Sequence, residues 1–250
     1  MNPQVTIEAK QRLIELYGLD RPIHVQYFDW LGRMVRLDFG RSFSPDRRPV
    51  LDKIAERLPV TLALNVASLV IILMIALPVG IYSAVRAGGL FDRISTVLLF
   101  IGFAAPSFWL ALLGMRWFGV ELGWLPISGL TSINYDQLSF WGKLVDLARH
   151  LAMPLIISTI GGLAGLSRYM RANMLEVIRQ DYLTTARAKG LKERVVIMKH
   201  ALRNALIPVI TVLGLSVPGL IGGSVIMESI FAIPGLGQLF YTAVMSRDYP

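Results

Sequence analysis

The sequence predicts an all-α integral membrane protein, and three observations carry that prediction. Of the 250 residues, 54% are hydrophobic and only 17% charged, whereas a soluble domain of this size carries about 25% charged residues. Mean hydropathy is +0.55. Four long segments hold no charge at all: Val60–Val85, Ile94–Met115, Leu151–Ser167 and Asn204–Met227. A helix needs about 20 apolar residues to cross a bilayer, with a range of roughly 17–25. The first, second and fourth segments meet that length. The third meets it if His150 and Arg168 lie at the interfaces with their polar ends directed outward. The expected spans are therefore about 60–85, 94–117, 148–170 and 204–229.

Charge then sets the orientation. Lys and Arg accumulate in loops that stay in the cytoplasm. The loop Arg86–Arg93 carries two of them and the region Arg168–Arg203 carries nine, whereas Gly119–Arg149 carries two and the tail Ala232–Pro250 one. Segment 171–203 is thus expected to be cytoplasmic, with 119–147 and 232–250 extracytoplasmic. Residues 1–59 then fall outside as well. They hold ten basic and eight acidic residues and no apolar run that would translocate them. The expectation is that a further span precedes them, and that the final Arg247-Asp248-Tyr249-Pro250 lies within a connection rather than at an end.

Along residues 1–59, Ile7–Leu19 reads as an amphipathic surface helix ending at Gly18. Leu37–Phe43 reads as a turn, and Val50–Leu58 as a short helix stopped by Pro59. The spans contain Pro78, Pro106, Pro154, Pro208 and Pro218. Each frees a carbonyl and kinks its axis, a pattern suited to a bundle with a cavity and moving parts. Gly161-x-x-x-Gly165 and Gly219-x-x-x-Gly223 allow close helix packing. Trp117, Trp124 and Trp141 fit an interfacial aromatic belt.

Nothing in the chain suggests chemistry of its own. There is no Cys, so neither disulfides nor thiolate metal sites can form. His24, His150 and His200 are far apart, and none has a metal-ligand partner one helical turn away. No nucleophile elbow and no phosphate-binding G-x-x-x-x-G-K-[ST] loop occurs, so no catalytic, cofactor or metal residue is expected. The net charge of +8 sits in short loops tethered at both ends to spans, which argues against nucleic acid as a partner. The span interiors lack buried acid–base pairs. Glu228, at an outer end, is the nearest to one.

The informative segment is the basic insert DYLTTARAKGLKERVVIMKHALRNALIP, Asp181–Pro208. Asp181 can cap a short helix, Tyr182–Lys189. Gly190 suits the left-handed position that ends a helix, with Leu191 folding back as its apolar contact. In a second helix Leu191, Val195, Met198 and Leu202 share one face, and Lys192, Lys199 and Arg203 another. Such an element could lie on anionic lipid, or dock as a helix in a partner's groove. The small residues Thr184, Thr185, Ala186 and Ala188 favour a close-fitting groove.

The insert resembles the signature loop of binding-protein-dependent ABC importer permeases. Ala186, Gly190 and Leu202 match that signature's second Ala, its Gly and its Leu. Thr184, Thr185, His200 and Arg203 depart from it, and are similar instead to the dipeptide/oligopeptide/nickel branch. Thr185–Leu191 reads T-A-R-A-K-G-L and His200–Pro208 reads H-A-L-R-N-A-L-I-P, as in that branch. Phe39–Phe43, Pro106–Leu110, Leu122–Pro126, Pro234–Gly237 and Arg247–Pro250 also resemble it, in the same order. The resemblance implies a type I importer transmembrane domain, with about four of an expected six spans in this chain, in a bacterial or archaeal inner membrane. It implies a permease for peptides or a related solute such as a nickel chelate or glutathione. Its partners would be a second homologous permease, two ATPase subunits holding ATP and Mg, an extracytoplasmic solute-binding protein and the lipid bilayer. The ATPase-coupling residues would be Asp181, Thr184, Thr185, Ala186, Arg187, Ala188, Lys189, Gly190, Leu191, His200, Leu202 and Asn204. The alternative is a channel or membrane scaffold with a lipid-bound loop.

Overall fold

The structure, a computed structural model, describes residues 20–248. The helix expected over Ile7–Leu19 and the final Tyr249-Pro250 lie outside them. Among the described residues all regular elements are helical, apart from one isolated antiparallel bridge between Arg41 and Pro49. Two compact units are present, Met1–Glu56 with Val244–Pro250, and Arg57–Ala243.

In the first unit, helix α1 (Ile23–Val35) follows Pro22 and stops at Arg36 and Leu37, where the backbone turns left-handed at φ 56°. The turn expected over Leu37–Phe43 is present. It continues through Gly40 at φ 73°, whose amide donates to Asp38 Oδ1 at 3.1 Å. The loop after it closes around Ser42, which is buried. Lys53 Nζ donates to Ser42 Oγ at 2.8 Å and Ser44 Oγ at 2.6 Å, and pairs with Asp46 Oδ1 at 2.9 Å. Its three N–H groups thus meet three acceptors. Asp248 accepts from the Phe43 amide at 2.6 Å and from the Ser42 hydroxyl. This cluster ties together segments more than 200 residues apart in sequence.

The hydrogen bond from Lys53, followed by that from Ser44, lowers the Asp46 carboxyl from 3.8 to about 2. A carboxyl held below its unfolded value contributes stability above that value and loses it as pH falls through the folded one. Hydrogen-exchange protection of segment 42–48, corrected for intrinsic rates, is therefore expected to hold down to about pH 4 and to fall between there and about pH 2. Asp46→Asn should remove that step; an unaltered step would show that Asp46 does not govern the loop.

Three described helices are long and apolar enough to cross a membrane: α2 (Val50–Val85), α5 (Phe140–Ile178) and α7 (Glu193–Leu220). Between α2 and α5 lie α3 (Leu90–Ala104) and α4 (Ser107–Glu121), bent by 92° at the break between them. The second expected span is therefore not one straight helix over 94–117. The cause is Pro106, since proline pushes the preceding residue out of the helical region. Ala105 is accordingly extended, at φ −76° and ψ 129°.

Other boundaries also move. No stop occurs at Pro59, because α2 runs through both Pro59 and Pro78. The third span is not short. Ser139 Oγ accepts from the Gly142 amide, and α5 then runs for 39 residues, roughly 58 Å at 1.5 Å per residue. That is about twice the hydrocarbon thickness of a bilayer, so α5 must extend beyond it. The charge-free run Asn204–Met227 is broken in turn. After α7, Gly223 adopts φ 67° and a separate short helix α8 (Val225–Ile230) begins at the Ser224 cap. A final helix, α9, spans Leu236–Ser246.

Two cores hold these helices together. One gathers Ala84, Met170, Met174, Leu183, Val196, Ile197, Ala201, Ala205 and Val209. The other gathers Ala111, Met153, Ile157, Met227, Phe231 and Ile233. Of the four glycines in the expected packing motifs, Gly161, Gly165 and Gly219 make no close approach within this chain, since a Cβ at any of them would meet nothing within 4 Å, whereas one at Gly223 would lie 2.9 Å from Glu228 Oε1 and from the Gly237 amide. Other close approaches fall elsewhere. A Cβ at Gly80 would lie 2.6 Å from the Ser167 carbonyl, and one at Gly162 would strike Ile72, which packs α2 against α5.

Beside the second core lies Glu228, which is buried. It accepts from Thr61 Oγ1 at 3.1 Å, the Ser224 amide at 3.3 Å and the Gln238 amide at 3.0 Å. Thr61 Oγ1 accepts from the Leu236 amide at 2.8 Å. The Pro234–Gly237 turn wraps this carboxylate so tightly that a Cβ at Gly235 would strike it. In an apolar medium an unsatisfied polar group costs several kcal/mol. Glu228 and Thr61 together therefore supply acceptors for the amides of Ser224, Leu236 and Gln238 on either side of the turn.

Candidate functional site

The basic insert folds as a short helix, a left-handed turn and the start of α7. Helix α6 spans Asp181–Ala188. Asp181 is not its cap. Gln180 takes that position without a side-chain bond, and Asp181 sits in the first turn, where its negative charge complements the helix dipole. Its carbonyl accepts from Thr185 Oγ1 at 3.1 Å. The helix ends in a type of turn that glycine serves best: Gly190 has φ 77°, and its amide donates to the Arg187 carbonyl at 2.9 Å. A Cβ there would meet nothing, so the requirement for glycine is conformational rather than steric. Arg187 and Glu193 close the turn with two bonds of 3.1 and 3.0 Å. Glu193 is exposed and Arg187 partly so, so this pair contributes on the order of 0–1 kcal/mol.

The expected residues divide by surroundings. Thr184, Thr185, Ala188 and Lys189 are exposed, whereas Ala186 and Arg187 are half-buried. Leu191 does not fold back on the turn; it is 41% exposed. Nor does the face Leu191, Val195, Met198 and Leu202 form the packed side. Val195 and Met198 are exposed, and the buried residues are Val196, Ile197, Ala201, Ala205 and Val209. Leu191 precedes the helix, which begins at Glu193, and after Val195 a π-helical turn over Val196–Ala201 breaks the regular period. One residue beyond the regular count enters that turn, which rotates the apolar stripe relative to a 3.6-residue period. His200 is half-buried in the same turn, Leu202 packs against the first core, and the His200 carbonyl accepts from Asn204 Nδ2 at 3.3 Å. Asn204 also donates to the Tyr182 hydroxyl at 2.6 Å, joining α6 to α7.

Three residues of the site were not singled out in the sequence. Tyr182 receives the Asn204 bond, and Glu193 receives Arg187. Leu183 matters most: it has no solvent exposure and lies in the core built from α2, α5 and α7. The signal was available, since Leu183 is the one large aliphatic residue in DYLTTARAKG. The base of the insert is steadied by Asp92 at the start of α3. Arg171 of α5 donates to it from Nε and Nη2, both at 2.7 Å, and the Gly88 amide adds a third bond at 2.9 Å.

Residues 76–250 match the family described as the binding-protein-dependent transport system inner membrane component. The chain belongs to that family. Among its relatives, an oligopeptide transport system permease protein of Bacillus subtilis (strain 168) is 46% identical over 250 residues, covering all of this chain and 78% of the relative. A di/tripeptide transport system permease protein of Pseudomonas aeruginosa is 38% identical over 263 residues, covering all of this chain and 77% of the relative. A dipeptide transport system permease protein of Lactococcus lactis is 38% identical over 249 residues, again with all of this chain and 77% of the relative covered. The fold is similar to a chain in an inward-facing structure of a methionine ABC transporter. The TM-score is 0.59 at 21% identity, over 78% of this chain and 82% of that one. The family is thus joined here to a type I importer fold in a multi-pass membrane protein. A channel or lipid-bound scaffold finds no support.

Truncating Leu183 to Ala is expected to lower stability by about 2–5 kcal/mol, as for other fully buried leucines. Thr184→Ala, on the exposed side of the same helix, should change it by less than about 0.5 kcal/mol. Thermal unfolding in detergent checks both, and equal losses would contradict the division of α6 into anchor and free face.

Proposed function

We propose that this chain is one of two permease subunits forming the translocation path of an ABC importer for peptides, with α6 and the Gly190 turn as the element that couples it to an ATPase subunit. The observation that carries this reading is the two-sided character of α6. Its outer side offers Thr184, Thr185 and Ala188, small enough for a close-fitting groove, while Leu183 inserts into the core shared by α2, α5 and α7. A force on the exposed side of α6 therefore bears on three long helices at once.

In this reading the insert side faces the cytoplasm, and ATP with Mg is held by partner ATPases. Closure of the ATPases favours one of two packed states of the permease pair, so the solute, delivered by an extracytoplasmic binding protein, meets a site opened alternately to the two sides. Asp181, Arg187, Lys189 and Leu191 rim the docking face, whereas Asn204 bonds α6 to α7, Leu202 packs on the core that holds Leu183, and the His200 carbonyl positions Asn204. Peptides are favoured as cargo by the relatives' own transport systems.

The test is Gly190→Val in the assembled transporter in proteoliposomes. A β-branched residue at φ 77° is strained by about 1–3 kcal/mol and must distort the turn. ATP-driven uptake of labelled di- and oligopeptides, and its coupling to ATP hydrolysis, should be lost while membrane insertion persists. Unchanged coupling would overturn the assignment of α6. Uptake by the unaltered transporter of nickel chelates or glutathione in place of peptides would overturn only the cargo.

A further inference from the structure

Helix α1 has no buried residue, and its surface is divided, with His24 the one polar side chain within the apolar arc. At 100° per residue, Ile23, Tyr27, Phe28, Trp30, Leu31 and Val35 fall in one broad apolar arc, and all six are exposed, Ile23 at 85% and Val35 at 78%. Gln26, Asp29 and Arg33 form a narrow polar stripe opposite. That stripe is already engaged at its start: Arg21 pairs with Asp29 at 3.2 Å, and Gln26 Nε2 donates to the Arg21 carbonyl at 2.7 Å. Gln26 and Asp29 are thus engaged within the unit, and the apolar side is what α1 presents outward.

We infer that α1 lies in the plane of the bilayer interface, its aromatic arc sunk into the boundary between headgroups and acyl chains. Four features select lipid as the occupant. The arc is rich in Tyr, Phe and Trp, side chains suited to the region where one end of a ring is apolar and the other wet. Tyr27 packs against both Phe28 and Trp30, with ring centroids 5.6 and 6.1 Å apart. The three rings thus touch in a chain, Phe28 edge-on to Tyr27, and make one contiguous aromatic patch. Arg33 and Arg36, at the end of the helix, are placed for phosphate headgroups. Finally, the chain is a multi-pass membrane protein, and only residues 36–49 separate α1 from the membrane-crossing helix α2. Those features match helices that lie on a membrane with the apolar face buried about 5–10 Å. Anchored in this way, α1 would hold the Ser42–Lys53–Asp248 cluster at a set height above the hydrocarbon.

The chain has no cysteine, so single spin labels are clean probes. Labels would be placed at Ile23→Cys, Phe28→Cys and Leu31→Cys on the arc, and at Arg33→Cys on the polar stripe. The assembled transporter is then studied in nanodiscs of phosphatidylethanolamine and phosphatidylglycerol. The arc labels should collide freely with oxygen and be shielded from a water-soluble nickel chelate, at a depth of about 5–10 Å. The label at position 33 should show the reverse. Arc labels open to the nickel chelate would place α1 in water, and arc labels shielded from both reagents would show that protein covers it. Either result overturns the inference. Three arc positions guard against one variant that does not assemble.

Discussion

Leu183 is the point on which the insert depends. A helix of eight residues cannot hold itself together in isolation, so α6 owes its existence to what it packs against. It has one fully buried side chain, in a core shared by α2, α5 and α7. The Asn204 bond to Tyr182 and the Arg187–Glu193 pair add direction, but they are exposed. Burial of Leu183 thus ties α6 to the core of the long helices, and in the proposed reading α6 moves with them instead of swinging on the Gly190 turn. An exposed, small-residue face fixed to a rigid body is what a coupling element requires.

A second constraint operates away from the insert. Irregular backbone within a membrane protein must find partners in the protein itself. The break after α7 and the Pro234–Gly237 turn would otherwise leave amides unpaired. Glu228 and Thr61 accept several of them, and Gly223 and Gly235 let the backbone come close enough. The carboxylate that looked, from its position alone, like a weak candidate for proton chemistry is thereby committed to holding a turn.

Much of this was legible in the residues. The charge-free runs located the membrane helices, and Gly190 announced its left-handed turn because only glycine adopts that conformation without strain. The resemblance of Thr185–Leu191 and His200–Pro208 pointed to the family that the comparisons then showed. What could not be read were departures from regular geometry. The helix begins only at Glu193, past Leu191, and a π-helical turn over Val196–Ala201 then breaks the regular period beside Met198; no residue pattern marks where such a turn falls. Five prolines looked alike, yet Pro78, Pro154 and Pro208 sit inside continuous helices. Only Pro106 produced the sharp bend, with its preceding residue extended. Gly161 and Gly165 carried the packing motif while Gly80 and Gly162 made the contacts, because spacing cannot say which side of a helix faces a neighbour.

The claim that α6 and the long helices move as one body is tested most directly by a distance. Spin labels can be placed at Thr185, on the exposed side of α6, and at Gly165, where a side chain on α5 meets nothing. Their separation is then measured by pulsed electron resonance in the assembled transporter, with and without ATP. The account predicts a single narrow distribution that stays put between the two states, while the distance from Thr185 to the same position of the other permease changes. A shift of several ångströms in the Thr185–Gly165 distance would show α6 hinging at Gly190, and would contradict the rigid connection through Leu183.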